Sequence, residues 1–491
     1  MGPVSGSGVS VVYAPFTGPR LSNTPVRRSD PSSPVRRHPA TGRDMRQTLR
    51  TGGLLLATVS LFTINIPSAD ASGYRLRNYG GQQAGTALAG KSAPDGISGA
   101  VHNPAALGQA TDVDGVLSLG YLGIQSDAID AHATTAAGTP AGGGDSRDAA
   151  PVAVIPGLVI AGELDDDVVL GISVSTPWGL RTEHGRDWAG RYHADETELV
   201  SLNVQPQVTW RASEQLHFGA GLQVQQVDGT FSNAIDVGSV GAALGIPGAR
   251  PGMQDAHAHL QGDDWGVGFT LGAAYRPFKG TTLGLSYRSK IDHELSGTAD
   301  FTADGSGLTT AIRGATGQLQ DTGFTADLTT PEVIGFGLRQ EIGSGVTLLG
   351  EAEWTRWSRL DELRADFANP LQGDDVTSKN WEDTWFVAAG AEWAVDPEWT
   401  LRAGVAYDQS PVPAKTRNPR IPDTDRTWLG LGAGWQPVGW IDLDIAYAHV
   451  WMADGRISLD ASQPGNAQRG SLDADVENSF DIVSVTLRIA F

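Results

Sequence analysis

Residues 481–491 read Asp-Ile-Val-Ser-Val-Thr-Leu-Arg-Ile-Ala-Phe. Val483, Val485, Leu487, Ile489 and Phe491 fall on one face, and Ser484, Thr486, Arg488 and Ala490 fall on the other. Side chains of a strand alternate with period two, so the segment has one apolar wall and one mostly polar wall. A strand of a soluble sandwich carries the same alternation. A strand this long that ends on a terminal aromatic residue has the pattern of the closing strand of a bacterial outer-membrane barrel. There the apolar face meets lipid and the polar face meets the lumen.

The composition agrees with a barrel. Among 491 residues there is no Cys, so neither disulfides nor thiolate metal sites are available. Gly is abundant at 63, as in strand-and-turn proteins. Lys and Arg number 35 against 56 Asp and Glu, which argues against a nucleic-acid partner. After Ala71 no apolar run is long enough for a helical span, while alternation hides barrel strands from hydropathy windows. The beginning of the chain has two unlike parts. Residues 1–44, rich in Pro, Ser, Gly and Arg, read as disordered or as an extension upstream of the true start. Residues 45–71 read as a signal peptide, with Arg46 and Arg50, an apolar stretch from Gly52 to Ile66, and Ala69-Asp70-Ala71 as the cleavage site.

Fourteen segments have the length of a tilted membrane strand, near 113–125, 152–164, 167–179, 198–211, 215–229, 264–276, 281–296, 324–341, 345–357, 383–395, 399–409, 427–437, 440–452 and 480–491. In one of them Leu216, Phe218, Ala220, Leu222 and Val224 oppose His217, Gly219, Gly221, Gln223 and Gln225. The spacing predicts an all-β fold, a fourteen-stranded antiparallel transmembrane β-barrel over 112–491. Links on the side of the chain termini are short and those on the other side long. Trp210, Trp354, Trp357, Trp428, Trp435, Trp440 and Trp451 lie near strand ends, as interfacial girdles would. Residues 72–111, low in charge and rich in small residues, are expected to fold into the lumen as an N-terminal hatch.

Asn103-Pro104-Ala105 closes that segment. Further along stand Pro177-Trp178-Gly179-Leu180, then Trp188-Ala-Gly190-Arg191-Tyr192, Tyr287-Arg-Ser-Lys290 and Trp354-Thr-Arg-Trp357-Ser358. The longest is Thr400-Leu-Arg-Ala-Gly-Val-Ala-Tyr-Asp-Gln-Ser-Pro411, followed by Pro422-Asp-Thr-Asp-Arg426-Thr-Trp428. In these motifs and their order the chain resembles the FadL-type long-chain fatty-acid and hydrocarbon transporters of the outer membrane, over essentially all of 72–491. The resemblance implies that a hydrophobic small molecule, a long-chain fatty acid or a hydrocarbon, is captured outside and passed to an internal pocket. It would leave sideways into lipid through a gap at a kinked third strand. An apolar chain gains about 0.8 kcal/mol per methylene buried in such a pocket. Outer-membrane lipid, lipopolysaccharide and the barrel-assembly machinery are the other expected partners.

The residues that would carry transport follow from their chemistry. Pro104 fixes its φ and Asn103 bonds backbone locally, so Asn103, Pro104 and Ala105 make a rigid turn suited to gating the hatch; a purely structural turn reads the same way. Two outward loops are apolar, 230–263 with Ile235, Val240, Leu244 and Ile246, and 297–323 with Leu308, Ile312 and Leu319. They are read either as an external capture groove or as lids that pack on each other. Arg288 and Lys290 are placed on the lumenal face of the seventh strand as head-group cations, with Arg402 and Arg488 behind them. The competing reading pairs these cations with Glu351, Glu353, Asp442 or Asp444. Gly171 is the candidate kink of strand three. No cofactor, metal site or catalytic residue is expected. A barrel lipase or esterase would need a nucleophile beside His217 or His449, and the spacing assigns none.

Overall fold

The computed structural model describes residues 72–77 and 80–491, so the expected upstream segment 1–44 and signal peptide 45–71 lie outside the described residues. Fourteen strands form the wall. They are β1 (Val113–Thr134), β2 (Ala153–Glu163), β3 in two pieces (Val168–Ser175 and Gly179–Glu183), β4 (Glu196–Ser213), β5 (Leu216–Asp236) and β6 (Asp255–Tyr275). β7 (Thr281–Arg288 and Ile291–Thr302) and β8 (Thr322–Thr330 and Val333–Gly343) are also in two pieces. Then come β9 (Val346–Thr355), β10 (Thr384–Ala394), β11 (Trp399–Asp408), β12 (Arg426–Val438), β13 (Ile441–Met452 and Gly455–Leu459) and β14 (Ser471–Ala490). Each runs antiparallel to its neighbours. β14 returns to β1, from Asp114 opposite Ala490 to Thr134 opposite Ser471, and so closes the ring. A hairpin, Glu362–Phe367 with Asp375–Ser378, stands on the loop between β9 and β10.

All fourteen expected segments are strands, but several run further toward the loop end. β5 and β6 stay paired from Leu216 opposite Tyr275 to Asp236 opposite Asp255, so only 237–254 leaves the sheet and Ile235 belongs to a strand. The polarity of the wall inverts along the way. On β5, Gln223 and Gln225 face inward and Leu222 faces out, whereas further along Val227 is buried and Asp228 exposed. On β7 the inversion needs a break. Ser289 and Lys290 interrupt the strand, so Leu283 and Leu285 face out before it, and Ile291, His293 and Leu295 face in after it. One step out of register exchanges the two faces of a strand. The barrel thus has a lower belt that is apolar outside and polar inside, and an upper rim built like a soluble protein.

Exposed Trp210, Trp393, Trp399, Trp435 and Trp440 ring the belt near the turns, and Trp265, Trp385 and Trp451 ring it toward the loops. Trp385 and Trp393 on β10 are separated by roughly 27 Å of strand at ~3.4 Å per residue. Tilting by ~35–45° reduces that to about 19–22 Å, which fits within an apolar band of ~25 Å. Two expected girdle residues lie elsewhere: Trp357 and Trp428 are buried inside the barrel.

The hatch fills the belt. It holds the short helix α1 (Gly81–Gly85) and two 3-10 turns, Ile97–Val101 and Pro104–Gln109. Its backbone lies directly on inward-facing glycines. A Cβ at Gly404 would sit 1.9 Å from the Thr86 carbonyl oxygen, and one at Gly284 would sit 1.8 Å from that of Ser92. Gly430 and Gly432, alternating on β12, serve α1 in the same way. Any side chain at these positions has to displace the hatch, since overpacking costs about 1–3 kcal/mol even where neighbours can shift. The Gly404→Val chain is therefore expected to close its barrel, seen as a heat-modifiable band on a gel, yet conduct ions in a planar bilayer far above the unaltered chain. Equal conductance would show that the hatch does not rest on this wall.

Candidate functional site

β3 breaks at Thr176, Pro177 and Trp178, because proline has no N–H to give to a ladder. Below the break, β3 pairs with β2 only from Leu158 opposite Val174 to Glu163 opposite Val169. Residues 153–157 of β2 have no backbone partner on that side among the described residues, and the wall is open there. The backbone of the break turns into the lumen and bonds the start of the hatch instead. The Leu76 N–H donates to the Pro177 carbonyl at 3.0 Å, and the Gly179 N–H donates to the Tyr74 carbonyl at 2.8 Å. Gly171, the expected kink, lies in the regularly paired part of β3 opposite Ala161 and Gln207, where a Cβ would meet Leu107 of the hatch at 2.7 Å. The signal for the break in the sequence was Pro177.

The segment that fills the break is clamped by charge. Glu353 on β9 takes Arg75 at 2.6 Å, Arg77 at 3.3 Å and Lys91 at 2.8 Å, all buried. Arg77 reaches Asp408 on β11 at 2.6 Å, and the Gly73 N–H donates to Asp423 at 2.9 Å. The Asn103 side chain ties the far end of the hatch to the wall. Its oxygen accepts from the Ala105 N–H at 3.0 Å, and its amide donates to the carbonyls of Ser92 (2.7 Å), Ala273 (3.1 Å) and Leu285 (3.3 Å). Thr209 donates to the Pro104 carbonyl at 2.6 Å.

Above this clamp Tyr74 stands in a box of Trp178, Trp357 and Trp381, with ring centroids 4.8 to 5.8 Å away. The box is the floor of an apolar interior that continues through Leu199, Val227, Leu260, Leu295 and Leu328 to Leu308 and Ile312 under the loops. Within it lies a cavity of about 20 Å³ bordered by Tyr74, Leu199, Phe231, Leu328, Leu360 and Ile421. Two cations face the same cavity, Lys379 from the loop before β10 and Arg420 from the loop before β12. Lys379 is 2% exposed and Arg420 5%, and neither forms an ion pair among the described residues. The Lys379 ammonium has the Asn418 side-chain oxygen at 3.4 Å. Arg420 donates to the Glu196 and Ser232 carbonyls, the Thr197 hydroxyl and the Asn233 side-chain oxygen, all at 3.1 to 3.3 Å. Burial, with Arg420 and Arg469 nearby, pushes the Lys379 ammonium down to about 7, and burial pushes Arg420 down to about 10.

The expected head-group cations are elsewhere. Arg288 bonds Gln223 and donates to the Val101 carbonyl of the hatch at 3.0 Å, while Lys290 sits at the β7 break and pairs with Asp292 at 2.6 Å on the outer side. Arg402 pairs with Glu392 and Asp444, and Arg488 with Asp114 and Asp442. Lys379 and Arg420 escaped sequence reasoning because they lie 41 positions apart on two loops without period, and only the loop fold brings them together. The expected apolar groove is closed. Helix α2 (Val237–Ala243) and helix α3 (Leu308–Thr316) cover the interior, with Leu308, Ile312 and Leu319 buried and Ile235, Val240 and Ile246 packed on them. Leu244 alone of that set is exposed. This is the lid arrangement. Among the described residues neither His217, packed on Gly108, nor His449, bonded to Asp481 at 2.7 Å, has a hydroxyl partner. Ser146 and His184 do meet at 3.0 Å, but the other imidazole nitrogen bonds the Pro419 carbonyl and both residues are buried.

Residues 63–491 match the family model described as outer membrane protein transport protein (OMPP1/FadL/TodX). The chain is similar to the long-chain fatty acid transport protein of Salmonella typhi, 28% identical over 82% of this chain and 93% of the relative. It is also similar to outer membrane protein P1 of Haemophilus influenzae, 27% identical over 81% and 89%. Among solved structures it is similar to a Pseudomonas aeruginosa FadL homologue, with a TM-score of 0.78, 26% identity and coverage of 85% and 100%. The Pseudomonas putida toluene transporter TodX, at 19% identity and a TM-score of 0.64, shares the fold.

The Lys379 ammonium has an identifiable stability signature. A cation whose folded value is lowered costs stability in full below about 7, where it is charged in both states, and the cost vanishes as pH rises toward its ordinary value. Lys379→Met is expected to unfold later than the unaltered chain in thermal melts, with the gap widest at pH 6 and closing toward pH 10. A pH-independent gap, or a loss of stability, would contradict an unpaired buried ammonium.

Proposed function

We infer the function from one premise: the chain belongs to the OMPP1/FadL/TodX family of outer membrane transport proteins. It is an outer-membrane β-barrel, and it carries long-chain fatty acids passively across that membrane. The observation that favours this reading is the pair of buried cations over an apolar cavity, neither of them in an ion pair among the described residues. Leaving a charge buried without a counter-charge is costly, and a carboxylate-headed amphiphile relieves that cost while its chain enters the apolar interior. The cavity holds little more than one water, so the box and the lid have to part for an acyl chain. The acid then leaves toward lipid between β2 and β3, where residues 153–157 lack a partner, once the segment at Tyr74 withdraws from the break. Asn103, Pro104 and Ala105 hold the rest of the hatch during that movement. Outer-membrane lipid and lipopolysaccharide surround the belt, and the barrel-assembly machinery inserts it.

A second reading, uptake of aromatic or alkane hydrocarbons, is favoured by the box of Trp178, Trp357 and Trp381 and needs no cation. Cells lacking their own transporter and expressing the chain with Lys379→Met and Arg420→Gln separate the two. Uptake of labelled oleate is expected to fall by about tenfold or more, the loss of at least one charged hydrogen bond, while toluene uptake is unchanged. Oleate affinity of the unaltered chain should weaken as pH rises through about 7, where Lys379 loses its charge, and Lys379→Met should flatten that dependence. Unchanged oleate uptake at equal barrel abundance would remove the cation pair from the fatty-acid reading, and an unaltered chain that takes up toluene but no oleate would favour the hydrocarbon reading.

A further inference from the structure

A second cavity of about 290 Å³ opens at the loop end, between the loops before β10, before β12 and before β14. The chain carries 56 acidic residues against 35 basic ones, yet among the described residues no carboxylate lines this cavity, whereas Lys415, Arg469 and His193 do. Lys415 is exposed. Arg469 is held in place, donating to the Thr377 hydroxyl at 3.0 Å and the Gly465 carbonyl at 3.3 Å and pairing with Asp375 behind it. His193 is 4% exposed, and its Nε2 is buried at the cavity without a hydrogen-bond partner. Leu459 and Pro464 supply an apolar side to the same space. Such a lining suits an amphiphile with an anionic head.

The partition beneath this cavity is two peptide segments thick. Ser378 and Asn380 line the outer cavity, while Lys379 between them lines the inner one. Asn418 lines the outer cavity and Arg420, two residues on, lines the inner one. The segments meet where Lys379 donates to Asn418 at 3.4 Å and where the Thr416 hydroxyl donates to the Lys379 carbonyl at 2.6 Å. The first of these bonds is long and the one a carboxylate would replace.

We propose that this outer cavity is a vestibule that receives the carboxylate of an incoming long-chain fatty acid, and that the Lys379–Asn418 contact is the door through which the head group passes to the inner cation pair. The proposal rests on the fatty-acid reading and specifies the way in, which runs beside the α2–α3 lid and not beneath it. Lys415 forms no ion pair among the described residues, and together with Arg469 it draws an anion to this spot in an otherwise acidic molecule. Burial pushes the His193 imidazole down to about 3, so it stays neutral and adds a hydrogen-bonding nitrogen without charge.

The chain has no Cys, so a single one can be labelled cleanly. In full-length barrels in nanodiscs, laurate is expected to slow maleimide labelling of Gln463→Cys, an exposed uncharged lining position, several-fold, while dodecanol at the same concentration does not. Met253→Cys, 71% exposed on the loop between β5 and β6, should label equally under all conditions. Laurate that leaves the Gln463→Cys rate unchanged overturns the vestibule, and so does equal protection by dodecanol. In cells, Ser378→Trp, which fills the cavity from its exposed side, is expected to cut oleate uptake several-fold at equal barrel abundance. Oleate uptake at the unaltered rate overturns the vestibule and leaves the fatty-acid reading standing. No oleate uptake by the unaltered chain removes that reading, and the vestibule with it.

Discussion

A peptide group facing hydrocarbon must find its hydrogen-bond partner within the protein, because lipid offers none. The closed ring from β1 to β14 answers that demand everywhere except beside residues 153–157 of β2. At that point the chain meets it from inside. The carbonyl of Pro177 and the N–H of Gly179 are taken by Leu76 and Tyr74 of the hatch, so the opening in the wall and the plug in the lumen are one hydrogen-bonded unit. The charges follow from the same placement. Arg75 and Arg77 flank that contact, and Glu353 and Asp408 are needed on the facing wall because unpaired buried ions would unseat it.

The second organising feature is the reversal of polarity along the strands. A belt with a polar interior cannot hold an acyl chain, and here it holds a hatch whose backbone lies against glycine. The apolar interior begins where Val227 turns in and Asp228 turns out, above the belt. A hydrophobic ligand can therefore be kept dry only in the rim, and on the proposed route its way onward leads down to the break in β3.

Much of this was legible in the sequence. Alternation located every wall strand, since lipid outside and water or hatch inside enforce period two over the whole belt. It failed where the period itself changes. Lys290 was assigned to the lumen by counting through Arg288, and the interruption at Ser289 reversed the count. The apolar residues of 230–263 looked like loop because strands were taken to end with the membrane, whereas β5 and β6 continue in pairs to Asp236 and Asp255. Trp357 and Trp428 were read as girdle from their position near strand ends, and their burial shows that the rim has its own core. The cation pair was beyond reach, since Lys379 and Arg420 approach each other through loops that have no periodic signal.

The reversal of polarity has a thermal consequence. The rim, with Leu295, Phe301, Phe324 and Ile312 inside, is held by removing apolar surface from water, and that contribution weakens on cooling. The belt has no such dependence, because its outer face exchanges lipid for nothing and its strands are joined by hydrogen bonds in a medium without competitors. The two halves of one barrel thus respond to cold in different ways. On cooling, the covering of α2 and α3 over the interior loses more of what holds it than the membrane-embedded ring does.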